Sequence, residues 1–165
     1  MKIIPRGVAL VAIAAIAFWI WTILFPAPEK IIRRRLDDVA QNVSFQANEN
    51  PIAIAMKSEK LATFFSTNVE VNLDIPERAQ HSIVGRAEII QAAAGAHMQV
   101  KTLDVKFLDP EIAVSPDKQS ATVSLVVSAK SSGETDPIVQ PMKFYFQKIG
   151  RDWLITRAET LRALT

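Results

Sequence analysis

The sequence predicts an α+β domain, helices covering one face of a curved antiparallel sheet, preceded by one transmembrane helix. Three observations carry this. An unbroken apolar run fills residues 8–25, helix-period segments follow it, and period-2 alternation dominates from residue 69 onward apart from one alanine-rich helix. With 165 residues, 49% of them hydrophobic, there is room for one domain and a short appendage.

The run Val8 to Phe25, "VALVAIAAIAFWIWTILF", holds no charge and a single Thr. As a helix it spans about 27 Å, close to the hydrocarbon thickness of a bilayer. A cleavable leader has a shorter apolar region and a small-x-small cleavage site, whereas this run leads into Phe25-Pro26-Ala27-Pro28. It therefore reads as an uncleaved anchor, with a cleaved leader and a buried core helix as the alternatives. No Cys is present to carry a lipid in its place. Trp19 and Trp21 suit a headgroup boundary, or are simply apolar bulk.

The expected organisation is a tail over 1–7, the span over 8–25, a linker over 26–28 and the domain over 29–165. Orientation draws on opposing signals. Lys30, Arg33, Arg34 and Arg35 after the span outnumber Lys2 and Arg6 before it, which alone would leave the domain in the cytoplasm. A short basic amino-terminal tail is nonetheless the usual form of a bacterial signal anchor, and the expectation is an external or periplasmic domain. Arg33, Arg34 and Arg35 are then candidate lipid-headgroup contacts, the plain alternative being a solvated helix face. A net charge of +2 gives no case for nucleic acid.

Pro26 and Pro28 end the anchor, and a first amphipathic helix begins at Glu29, with Ile32, Leu36, Val39 and Val43 on one face. Asp37 and Asp38 are expected to pair with Arg33 or Arg34 along it. Asn50-Pro51 opens a second helix, carrying Ile54, Leu61, Phe64 and Phe65 and ending near Asn68. "VEVNLDI" alternates as a strand. After a loop through His81, Ser82 is expected to cap a third helix with Ile83, Ala87 and Ile90 on one side. Strands follow through Leu103, Val105 and Phe107, through Ala121 to Ala129, through Met142, Phe144 and Phe146, and through Trp153, Ile155, Arg157 and Glu159, separated by the turns "SPDKQ" and "SSGETDP" and by Gly150.

Three stretches, "SIVGRAEII", "KQSATVSLVVSA" and "MKFYFQKIGRDWLITRAE", together resemble the nuclear transport factor 2-like superfamily, which includes the polyketide cyclase-like (SnoaL-like) and ketosteroid isomerase-like proteins. The resemblance covers roughly residues 29 to 164. It implies a cystatin-like cone, a curved antiparallel sheet on three helices, with Gly85-Arg86 starting the third helix and Gly-x-x-Trp-x-Ile in the last strand. Isomerase-like members carry a general base just after the second helix; the matching position here is Val71, which cannot accept a proton. The resemblance also extends to membrane-anchored relatives of similar layout, among them an assembly component of type IV secretion systems, and these favour the periplasmic side.

Candidate pocket residues are His97, Trp153, Arg157 and Glu159, the last two sharing a face with Trp153 and Ile155 if alternation holds. An ordinary surface ion pair is the commoner role for Arg157 and Glu159. His81 and His97, sixteen residues apart, lack zinc-pair spacing, so neither a metal nor a cofactor is expected. No catalytic residue is assigned. Tyr145 is expected to face outward, and Met98 and Met142 to fill the core. The expected role is a membrane-anchored, non-catalytic binding or assembly module, with the open sheet face available to a second copy or a protein partner. An isomerase- or cyclase-like enzyme, or a small-ligand binder using the cone pocket, is the alternative.

Overall fold

The computed structural model describes residues 11–17, 19, 27–74 and 81–161, with the side chain of His81 left out. Most of the expected span over 8–25 lies outside these residues; 11–17 and 19 within it are helical and exposed. Among the described residues no helix is long and apolar enough to cross a membrane.

Helix α1 is Pro28–Val43, with Pro28 in its first turn, where a missing amide proton costs nothing. Its buried residues are Ile32, Leu36 and Val39, the face that the 3.6-residue period marks. Ser44 ends it: the hydroxyl donates to Ala40 O at 2.8 Å and accepts from Val105 N at 2.9 Å. This ties the helix end to the sheet. Asp37 and Asp38 do not make the expected pairs with Arg33 and Arg34. Arg35 instead forms an ion pair with Asp152 and lies over the Phe64 ring, while Arg33 donates to Pro110 O at 3.5 Å.

Helix α2, Pro51–Ala62, is capped by Asn50, whose side-chain oxygen accepts from Ile52 N at 2.9 Å. It ends well before Asn68. Thr63 and Phe64 form a turn, and strand β1 runs Phe65–Leu73. The apolar run Leu61 to Phe65 continues a helical pattern, but Phe64 O is taken by Ile155 N at 2.9 Å, so pairing with a distant strand overrides local propensity.

Ser82 is not a helix cap. It lies in strand β2, His81–Val84, and its hydroxyl donates to Asn72 across the β1–β2 pair at 3.0 Å. The turn into helix α3, Arg86–Gln99, is made by Gly85 at φ 84°, a conformation that side chains other than glycine rarely adopt, with its amide donating to Val69 O at 2.8 Å. Arg86 Nε donates to Phe65 O at 2.7 Å and Glu88 accepts from Val84 N at 2.7 Å, so the helix start is fastened to β1 and to the end of β2. The buried residue of α3 is Ile89; Ala87 is exposed.

Strands β3 Leu103–Val114, β4 Ser120–Ser131, β5 Ile138–Ile149 and β6 Asp152–Thr160 form the expected antiparallel meander. The sheet order is β2-β1-β6-β5-β4-β3. It is not wholly antiparallel, because β1 runs parallel to β6. The core sits between the concave face and the helices, built on Ile32, Leu36, Val69, Val123, Phe146, Trp153 and Ile155. Met142 belongs to it, but Met98 is 87% exposed.

Strand β6 breaks its own alternation. Arg157 pairs with Tyr145 and Ile155 with Phe146, which leaves Thr156 as an unpaired bulge residue whose hydroxyl donates to Tyr145 O at 3.2 Å. The parity flips there. Trp153, Ile155 and Ala158 are buried, whereas Arg157 and Glu159 turn to the other side of the sheet.

Candidate functional site

Between the carboxyl-terminal half of α1, helix α3 and the concave face of the sheet lies a cavity of about 310 Å³. Its size is at the small end of the roughly 300–1,000 Å³ usual for ligand pockets. Alternation in β3, β4 and β5 turns Val105, Phe107, Val127, Met142 and Phe144 toward it, and α3 contributes the small residues Ala92, Ala93 and Ala96. Small side chains on the helix and bulky ones on the sheet are what leave the volume open. Phe107 and Phe144 meet with ring centroids 5.6 Å apart and tilted planes.

Two lining residues are polar, Asn42 and His97. Asn42, one turn beyond Asp38 on α1, donates to Asp38 O at 2.6 Å. His97, in the last turn of α3, stacks on Phe45 with centroids 3.7 Å apart. Phe45 is itself fixed by paired backbone hydrogen bonds with Leu103 at 2.8 and 3.0 Å. Burial pushes the His97 imidazole below its ordinary pKa of 6.5; the carboxylate of Glu49 works the other way, and Lys57 adds to the depression. The imidazole is thus neutral at pH 7, one nitrogen a donor and the other an acceptor. Among the described residues, no carboxylate lines the cavity.

Val71 lines the cavity. The position at which the isomerase-like resemblance puts a base therefore faces the pocket and offers it a hydrocarbon surface.

Of the four candidate pocket residues, His97 alone touches this space. Trp153 is packed in the core at 2% exposure. Arg157 and Glu159 form an outer-face cluster: Arg157 Nη2 is 2.8 Å from Glu159 Oε2, Tyr145 Oη donates to Glu159 Oε1 at 2.8 Å, and the guanidinium lies over the Tyr145 ring. The hydrogen bond to Glu159 raises the Tyr145 pKa. Tyr145 does lie opposite Phe144 and Phe146, as alternation in β5 predicts. Two site residues are not among the sequence candidates. Asn42 follows Val39 by three residues on the apolar face of α1, which is a readable signal; Glu49, in the break between two helices, has none.

Among the described residues, no three His, Cys, Asp or Glu side chains gather closely enough to hold a metal ion.

Solved structures share this fold. A nuclear transport factor 2-like protein with a cystatin-like fold from Novosphingobium aromaticivorans aligns at TM-score 0.59 and 17% identity, over 97% of this chain and 90% of its own. The chain has the cystatin-like, nuclear transport factor 2-like fold. A candidate scytalone dehydratase from the same organism aligns at TM-score 0.58 and 18% identity, over 81% and 84%. The yeast Ubp3-associated protein Bre5 aligns at 0.60 and 14%, over 84% and 100%. These identities establish fold alone. No family model matches the chain, and no curated protein matches it in sequence.

Proposed function

We propose that this protein is a single-pass membrane protein whose nuclear transport factor 2-like domain binds a small apolar ligand without transforming it. The observation that carries the reading is the cavity, open, about 310 Å³, and apolar among the described residues except for Asn42 and His97, with Val71 at the base position. Burying a ligand's apolar surface there supplies affinity, and none of the described lining residues is a carboxylate that could form an acid–base pair with His97. Filling the cavity tests it. A small aromatic probe at about a hundred times its Kd should stabilise the domain by roughly 2.7 kcal/mol, a rise of about 5–10 °C in Tm. Ala93→Phe should abolish that rise while the domain stays folded; an unchanged rise would place the probe elsewhere.

One observation favours an enzyme instead: His97 is a titratable group in contact with an open cavity, and one fold neighbour is a candidate dehydratase. An activity lost on His97→Leu while probe binding persists would establish that reading.

The anchor is supported by the run over 8–25 and by its described residues, among which Val11, Ile13 and Ile16 are helical and exposed rather than packed on the domain. Arg33 and Arg34 follow the run closely in sequence and are exposed; Arg34 is available to anionic lipid, at about 1 kcal/mol, whereas Arg33 donates to Pro110 O and Arg35 is committed to Asp152. The short basic amino-terminal tail supports an external or periplasmic domain in this reading, against the basic-residue count after the run. A reporter active only outside the cytoplasm, fused after Thr165, should be active; silence would reverse the orientation.

A further inference from the structure

We infer that the ligand is an amphiphile, its apolar body in the cavity and its polar head in a surface groove on the far side of His97. The inference rests on the ligand-binding reading above and gives that ligand a second end.

Among the described residues, His97 is the one that lines both the cavity and the groove, whose other walls are residues 45–49, Ile54 and 98–101. The two spaces share a partition. Leu103 lines the cavity and Phe45 the groove, and paired backbone hydrogen bonds at 2.8 and 3.0 Å join these two residues. The His97 ring stacks on Phe45 and faces both spaces. The Phe45–Leu103 bridge is fixed by its hydrogen bonds, whereas neither imidazole nitrogen has a hydrogen-bond partner among the described residues. Swinging the ring to another rotamer therefore breaks the stack and no hydrogen bond.

Polarity changes across the partition. On the cavity side the described lining is hydrocarbon but for Asn42 and His97; on the groove side stand Gln46, Asn48, Glu49, Gln99 and Lys101. Glu49 is already spent: Oε1 accepts from Lys57 Nζ at 2.6 Å and from Gln46 N at 3.2 Å, and Oε2 is buried. The side chains of Gln46, Asn48, Gln99 and Lys101 are exposed and make no hydrogen bond among the described residues, so the groove offers donors and acceptors together. A wholly apolar ligand uses the cavity and nothing past His97, and a wholly polar one gains nothing from the cavity. An amphiphile matches the gradient end for end. The cavity is roughly twice the about 150 Å³ that accepts benzene, so the body is on the order of ten carbon atoms, two fused rings or a medium chain.

The test uses the full chain in lipid nanodiscs, with empty nanodiscs as blank, and three probes: naphthalene for the body, methyl β-glucoside for the head, and 2-naphthyl β-glucoside for the two joined. The joined probe should bind at least about fivefold more tightly than naphthalene, the gain from one net hydrogen bond, and the head alone should bind far more weakly than either. Ala47→Trp, an exposed change in the groove wall, should bring the joined probe level with naphthalene or below it. Naphthalene binding should be unchanged in this variant, which also shows it folded; Gln99→Trp, on the α3 side of the groove, repeats the test if it is not. Ala93→Phe should abolish binding of both naphthyl probes. A joined probe no tighter than naphthalene would overturn the amphiphile assignment and leave the ligand-binding reading standing, as would an advantage that survives the groove variants. A joined probe that still binds to Ala93→Phe, or a head that binds as well as the joined probe, would make the groove a site of its own and overturn the assignment too. If neither naphthyl probe binds, the ligand-binding reading itself fails.

Discussion

The two faces of the sheet at β5 and β6 are built from the same strands and do opposite things. The inner face presents Phe144, Phe146, Trp153, Ile155 and Ala158 to the core and the cavity, and the outer face presents Tyr145, Arg157 and Glu159 as a hydrogen-bonded charge cluster. What separates them is one extra residue, Thr156. Without that bulge, strict alternation would turn Arg157 inward behind Ile155 and place its charge against Phe146. The cavity is apolar in part because a bulge keeps the guanidinium out of it.

The comparison breaks most sharply at adjacent residues. Ala158→Asp should destabilise the domain by more than about 3 kcal/mol, since it puts an unpaired carboxylate where exposure is 1%. Arg157→Ala, one position earlier, should cost less than about 1 kcal/mol, because its side chain is 49% exposed and its ion pair is screened by water. Denaturant titration of the two variants measures both. Similar costs would mean that the parity flip at Thr156 is wrong.

Between these extremes lies a pH effect that belongs to the inner side. His97 titrates below 6.5 in the folded chain and near 6.5 unfolded, so the unfolded state takes up its proton first as pH falls. The contribution of neutral His97 is intact above about 6.5 and is lost as pH drops below it toward the folded value. Glu49, held below 4.5 by its hydrogen bond to Lys57, acts in a separate window: its contribution is present above 4.5 and lost on further acidification. Thermal midpoints between pH 7.5 and 5.5 should therefore fall, and fall less in His97→Leu. A drop unchanged by that substitution would assign it to another group.

The helix face Ile32, Leu36, Val39 was legible because a 3.6-residue period needs only local sequence, and the four-strand meander was legible from its period of two. The end of α2 was not. Nothing between Leu61 and Phe65 says stop until Ile155, some ninety residues away, takes the carbonyl of Phe64. Ser82 looked like a cap because Ser commonly is one; its strand exists only because β1 provides an edge to pair with. Of the site, His97 was visible as a rare titratable residue at the end of an alanine-rich helix. Its orphaned neighbour at Glu49 Oε2 was not, since burial of a single oxygen is set by the packing around it.

The sequence by itself determined the apolar run over 8–25, the order of helices before strands, and a valine where the resembling isomerases keep a base. Those follow from composition, period and residue identity, which are local. The tertiary structure decided the parallel β1–β6 pairing, the flip at Thr156 and the position of His97 between cavity and groove. Each of these is a choice of partner between residues far apart in the chain, made by backbone hydrogen bonds and by which side chains can be buried together.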